Sequence, residues 1–181
     1  MIKKLTLAAL VAAASQAALA SPNTSIIQFR GVVQGNTCDI SVNGVTTPTP
    51  TTVTLADALA ENLTKAGDTT GETDFDIELK NCSGPGTKAR ASFKGGNGTT
   101  VANGRLDNLA SAGAENVQLE LVHKFSGAGS AIAVDGDQSA LPYVDIVGGA
   151  ARLPYAIRYY ATGAATQGPV EGAVEFTVAY Q

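Results

Sequence analysis

A chain of 181 residues is long enough to bury a real core, and its net charge of −4 argues against a nucleic-acid-binding surface. Only 15% of the residues are charged and 20 are glycine. Together with many Thr, Val and Ala residues, this suits an all-β domain with tight turns better than a helical bundle.

The first 20 residues have the layout of an export signal. Lys3 and Lys4 form a positive n-region, Leu5 to Ala14 an apolar run, and Ala18-Leu19-Ala20 a cleavage site, so the mature chain is expected to begin at Ser21. The apolar run falls short of the ~20 residues that span a bilayer. Export makes the two cysteines readable: an even pair in an oxidising compartment forms a disulfide, here Cys38 with Cys82. Closing a loop of that length removes roughly 4 kcal/mol of chain entropy from the unfolded state. Two Cys and the single His123 do not make a closed zinc shell.

Residues Ser25 to Val33 alternate as a strand, with Ile27, Phe29, Gly31 and Val33 on one face and Gln28 and Arg30 in the middle of the other. A glycine inside an apolar row marks close approach of another backbone or a ligand. Asn36 to Val42 continues as strand, with Cys38, Ile40 and Val42 on one side, and Asn43-Gly44 is a turn. The Thr/Pro-rich stretch Thr46 to Thr52 suits an edge or a loop. Val53 to Leu55 is expected to rejoin the sheet. Ala56 to Leu63 is expected to form a short helical turn, with Leu55, Leu59 and Leu63 at i, i+4 spacing.

Thr73 to Cys82 is the clearest internal strand, with Phe75, Ile77 and Leu79 against a face of Asp74, Asp76 and Glu78 expected to be solvated. Ala89 to Lys94 follows and closes on the turn Gly95-Gly96-Asn97-Gly98. Asn116 to Phe125 turns Val117, Leu119 and Leu121 inward. Ala131 to Val134 and Leu153 to Ala161 are further strands. Ala173 to Tyr180 is the last, with Val174, Phe176, Val178 and Tyr180 alternating against Glu175, Thr177 and Ala179. Many short strands separated by turns indicate a β-sandwich.

No catalytic, metal or cofactor constellation emerges, and the chain is read as a non-enzyme with no cofactor. His123 has no Gly-x-Ser-x-Gly elbow to serve, and sits as a polar residue near a strand end. The Gly-rich stretch at Gly95 lacks the Lys-Ser/Thr ending of a phosphate loop. Asn-x-Ser/Thr sequons at Asn23, Asn62, Asn81 and Asn97 are common by chance in a Thr-rich chain.

Three motifs carry a resemblance. They are Phe29-Arg30-Gly31 ahead of Cys38, Phe75-x-Ile77-x-Leu79-x-x-Cys82, and the stretch from Ile157 to Thr166 that leads to Phe176-Thr177-Val178-Ala179-Tyr180-Gln181. With Gly168 fourteenth from the C-terminus and Tyr180 as penultimate aromatic, the chain resembles the fimbrial subunits of the chaperone–usher pathway, above all the major pilins of type 1 fimbriae.

The resemblance implies an incomplete immunoglobulin-like β-sandwich lacking its seventh and last strand, completed by a donor strand from a partner. It divides the chain into a signal peptide (1–20), an N-terminal extension (21–35) and a pilin domain (36–181). The donor strand would be Ile27, Phe29, Gly31 and Val33. The acceptor groove and chaperone contact would involve Gly168, Val174, Phe176, Val178 and Tyr180. The implied partners are neighbouring pilin subunits, a periplasmic chaperone and an outer-membrane usher. The implied product is an extracellular fimbria that supports cell adhesion, reached through the periplasm, with a possible host surface met by the assembled organelle.

Beside the resemblance, a chain that ends on a long alternating strand leaves an apolar edge open, which calls for a partner strand. Three other readings stay open: residues 25–33 as the first strand of a complete sandwich, a minor adaptor or adhesive tip subunit of the same organelle, and a periplasmic enzyme.

Overall fold

Alternation of apolar and polar residues builds most of the described chain, which comprises residue 35 and residues 37–96, 98–125 and 129–181 of the computed structural model. The expected leader 1–20, the expected strand 25–33 with Ile27, Phe29, Gly31 and Val33, and Asn97 lie outside the described residues.

Eleven strands form among them: β1 (Thr37–Val42), β2 (Val45–Thr46), β3 (Thr69–Ser83), β4 (Lys88–Gly95), β5 (Val101–Ala102), β6 (Arg105–Asp107), β7 (Val117–His123), β8 (Ser130–Ile132), β9 (Val144–Asp145), β10 (Ala151–Ala161) and β11 (Val174–Tyr180). The larger sheet runs β2-β1-β3-β10-β7-β6-β5, with β8 also on β7; the smaller runs β11-β4-β9. All the pairings are antiparallel.

The core lies between the inner faces. Phe75, Ile77 and Leu79 of β3 and Leu153 and Tyr155 of β10 meet Ala91 and Phe93 of β4, all of them buried. Burying each large side chain contributes roughly 1.5–3 kcal/mol. Tyr155 is the centrepiece. Its ring stacks on Phe75 at 5.7 Å and meets Phe93 and Phe125 edge-on at 4.9 and 5.3 Å. The turn between β1 and β2 places both Asn43 and Gly44 at positive φ, the conformation that an Asn-Gly hairpin turn supplies. Cys38 of β1 and Cys82 of β3 are joined as a disulfide, which ties the first two long strands.

Three expectations change. Val53 to Leu55 does not rejoin the sheet; it lies outside any strand, with Val53 and Leu55 half-buried against the core. The helical turn shrinks to a 3-10 turn at Ala60–Asn62. Leu59 ahead of it is extended (φ −86°, ψ 132°) and 61% exposed, so only Leu63 of the trio becomes fully buried. The third is the acidic face of β3, which is not uniformly solvated. Asp74 is open, whereas Arg152 covers Asp76 at 2.6 Å and Lys80 covers Glu78 at 2.8 Å.

β7 buries both of its faces. Beside inward Val117, Leu119 and Leu121, the opposite residues Gln118, Glu120 and Val122 are also buried. Glu120 accepts from Arg105 Nε at 2.7 Å and from Arg158 Nε at 2.8 Å, and Arg105 lies 3.6 Å above the Tyr160 ring. Cations from β6 and β10 therefore roof over a central strand.

Candidate functional site: a strand edge and a cleft

β11 pairs only with β4 among the described residues, and so forms one edge of the smaller sheet. Which of its backbone groups face outward follows from the register. Lys88 and Gln181 exchange both backbone bonds, at 3.0 and 2.9 Å. In an antiparallel pair such doubly bonded positions alternate with ones pointing away. Glu175, Thr177 and Ala179 therefore face β4, while Val174, Phe176, Val178 and Tyr180 direct their N–H and C=O groups to the open side.

The same four residues carry the apolar side chains of the strand. All four are half-buried and packed on the core. Among the described residues the strand thus presents an unpaired backbone row together with a half-buried apolar row. Phe176 approaches Phe93 at 6.5 Å. Across the β4–β11 pairing, Lys94 meets Glu175 at 2.8 Å on the solvent side, and that carboxylate holds the Lys94 ammonium above its usual range. Burial pushes the Tyr180 phenol up, as it does Tyr159.

The chain leading into β11 forms one lip of a cleft of about 490 Å³, and the segment Thr52–Leu55 forms the other. Its apolar lining includes Val53, Leu55, Leu63, Val117, Tyr159 and Val170. Gly168 lies on the lip. A Cβ there would sit 2.5 Å from the Ala114 backbone nitrogen, so only glycine lets the two backbones approach this closely. The same approach allows Ala114 N–H to donate to Pro169 C=O at 3.0 Å.

Gly168 lines the cleft, whereas Val174, Phe176, Val178 and Tyr180 lie on β11 outside that lining; the cleft adds residues that sequence reasoning missed. The alternation of Val53 and Leu55 with Thr52 and Thr54 was a usable signal for one lip. Nothing local marked Val117 or Tyr159, which arrive from other strands. His123 ends β7 and stacks on Phe125 at 5.6 Å, away from this cleft's lining.

Two stacked antiparallel sheets, with β11 paired only to β4 among the described residues, define a β-sandwich with one edge strand at the end of the chain. The comparisons give this class its family: the chain belongs to the type-1 fimbrial protein A family (FimA), whose model matches residues 54–181. It is 36% identical to the F17 fimbrial protein of Escherichia coli over 176 residues, which cover 95% of this chain and 94% of that one. It is 37% identical over 183 residues to the major fimbrial subunit SMF-1 of Stenotrophomonas maltophilia (strain K279a), covering 94% and 99%. The crystal structure of an antigen and type I fimbria protein of Burkholderia pseudomallei is similar at 28% identity and a TM-score of 0.55. That match covers 80% of this chain and 95% of that one. The fold is the immunoglobulin-like sandwich of pilin subunits, and the chain is a structural subunit of a fimbria. Subunits of this family are structural components of extracellular pili.

Proposed function

We propose that this subunit polymerises head to tail by donor-strand exchange, with the N-terminal extension 21–35 of one copy lying along β11 of the next. The observation that carries this reading is the outward backbone row of Val174, Phe176, Val178 and Tyr180, unpaired among the described residues and carrying half-buried apolar side chains. An added strand would satisfy those N–H and C=O groups and cover the half-buried side chains. Main-chain bonds then supply affinity, and alternate side chains supply specificity. Ile27, Phe29, Gly31 and Val33 have the matching alternation, with Phe29 as the bulkiest anchor and Gly31 where the backbones crowd.

Such an association is heterologous and does not close, so it extends as a filament. The bare edge is also a hazard before assembly. That hazard suits a periplasmic chaperone that lends a strand to the edge before exchange at an outer-membrane usher, the partners that the resemblance implies. The role is structural rather than enzymatic, and the assembled fibre carries adhesion to surfaces outside the cell.

Removing residues 21–33 tests the reading. The truncated chain keeps its β11 edge and is expected to accept a strand but to form no fibres under electron microscopy. Fibres of normal length from the truncated chain would overturn it.

A further inference from the structure

The smaller sheet has two sides on which a strand is able to add, and among the described residues only the β11 side is bare. By the register above, Ala91, Phe93 and Gly95 direct their backbone groups away from β11, on the side where β9 pairs only with Lys88 and Ala89. Beyond Ala89 that edge has no strand among the described residues. Each outward N–H is nonetheless taken. Ala91 N–H donates to Tyr155 Oη at 3.2 Å, Phe93 N–H to Gln138 Oε1 at 2.8 Å, and Gly95 N–H to Asp135 Oδ1 at 3.2 Å.

Gln138 also returns a bond, its Nε2 donating to Phe93 C=O at 2.6 Å. A side-chain amide presents the same donor and acceptor as a peptide unit, so Gln138 occupies the place of one residue of a neighbouring strand. Its second Nε2 proton is held by Ala133 C=O at 3.0 Å. The loop is clamped in turn by Arg90, whose Nη1 reaches the carbonyls of Gln138, Ser139 and Leu141.

We propose that Gln138, held by Arg90 and flanked by Asp135 and Tyr155, is the residue that directs strand addition to β11 by closing the opposite edge of the same sheet. This rests on β11 being the acceptor, the reading given above. An edge left open at Phe93 presents a second template for the same kind of strand, and chains then join laterally as well as end to end.

The test uses the full chain with Gln138→Ala, and Arg90→Lys as a second variant that loosens the loop without touching the edge. Amide exchange at Phe93 and Gly95 is followed together with light scattering and electron microscopy, and melting curves identify any variant that is unfolded. The expected result is exchange at Phe93 at least ~10-fold faster in Gln138→Ala, a smaller rise in Arg90→Lys, and lateral association or bundled fibres in place of single ones. Unchanged exchange at Phe93 overturns the edge-closing role. Faster exchange with scattering and fibres like those of the unsubstituted chain overturns the directing role. Failure of the unsubstituted chain to form fibres counts against the polymerisation reading instead; exchange and light scattering still decide the part played by Gln138.

Discussion

Tyr155 Oη accepts a hydrogen bond from the Ala91 backbone N–H at 3.2 Å, so a side chain of the larger sheet ties directly to the main chain of the smaller one across the core. The phenol is 1% exposed, and burial pushes its pKa from 10.0 up to about 12.

Alkaline stability should report that tie. Below the ordinary phenol pKa, both folded and unfolded chains hold the proton and the group adds no pH dependence. Between 10 and about 12 the unfolded chain has lost a proton that the folded chain keeps, so stability falls as pH rises through this window. Tyr155→Phe should remove this contribution to the slope and, by leaving the Ala91 N–H unpaired, should cost about 1–3 kcal/mol at neutral pH. Denaturant midpoints from pH 8 to 12 for both chains check this.

The roofed carboxylate of β7 gives a second prediction. The Glu120 side chain is 3% exposed between Arg105 and Arg158. Glu120→Ala leaves Arg105 without a carboxylate and Arg158 with only Glu72 at 3.6 Å, and should destabilise the sandwich by about 3–5 kcal/mol. Replacing all three by apolar residues of similar volume should recover much of that loss, because the desolvation penalty is removed with the charges. Chemical denaturation of the single and triple variants separates the two effects.

Gly168 gives a third. Its Cβ-less backbone lies against Gly113 and Ala114. Gly168→Val must displace that lip and should cost about 1–3 kcal/mol. It should also weaken strand capture at β11, read as fewer or shorter fibres at a temperature where the variant remains folded. Normal assembly by Gly168→Val would show that the lip takes no part.

The disulfide is the fourth. Cys38→Ala with Cys82→Ala should lower stability by about 2–5 kcal/mol, the effect of releasing a loop of this length in the unfolded chain. Thermal melting measures it directly.

How legible all this was depended on the length of each signal. β3, β4, β7, β10 and β11 each carry several alternating residues, and their existence follows from that pattern. β2, β5, β6 and β9 have two or three residues each, too few for alternation to register. The buried face of β7 was hidden because Glu120 is covered by Arg105 and Arg158, which meet it only through β6 and β10. Val53 to Leu55 alternates like a strand, but alternation reports which side chains are covered and not whether the backbone has a neighbour. The same limit applies to the site. Val174, Phe176, Val178 and Tyr180 were readable as an apolar row; that their backbone has no partner among the described residues, while Gln138 bonds the other edge of the sheet, became visible only with the register.

The central claim is that the outward backbone of β11 receives a strand from another copy, and amide exchange tests it most directly. Phe176, Val178 and Tyr180 should exchange rapidly in the chain lacking residues 21–33 when no partner strand is bound. They should become protected by at least ~100-fold in fibres of the full chain. Fibres in which these three amides exchange as fast as in the unpartnered chain would contradict the account.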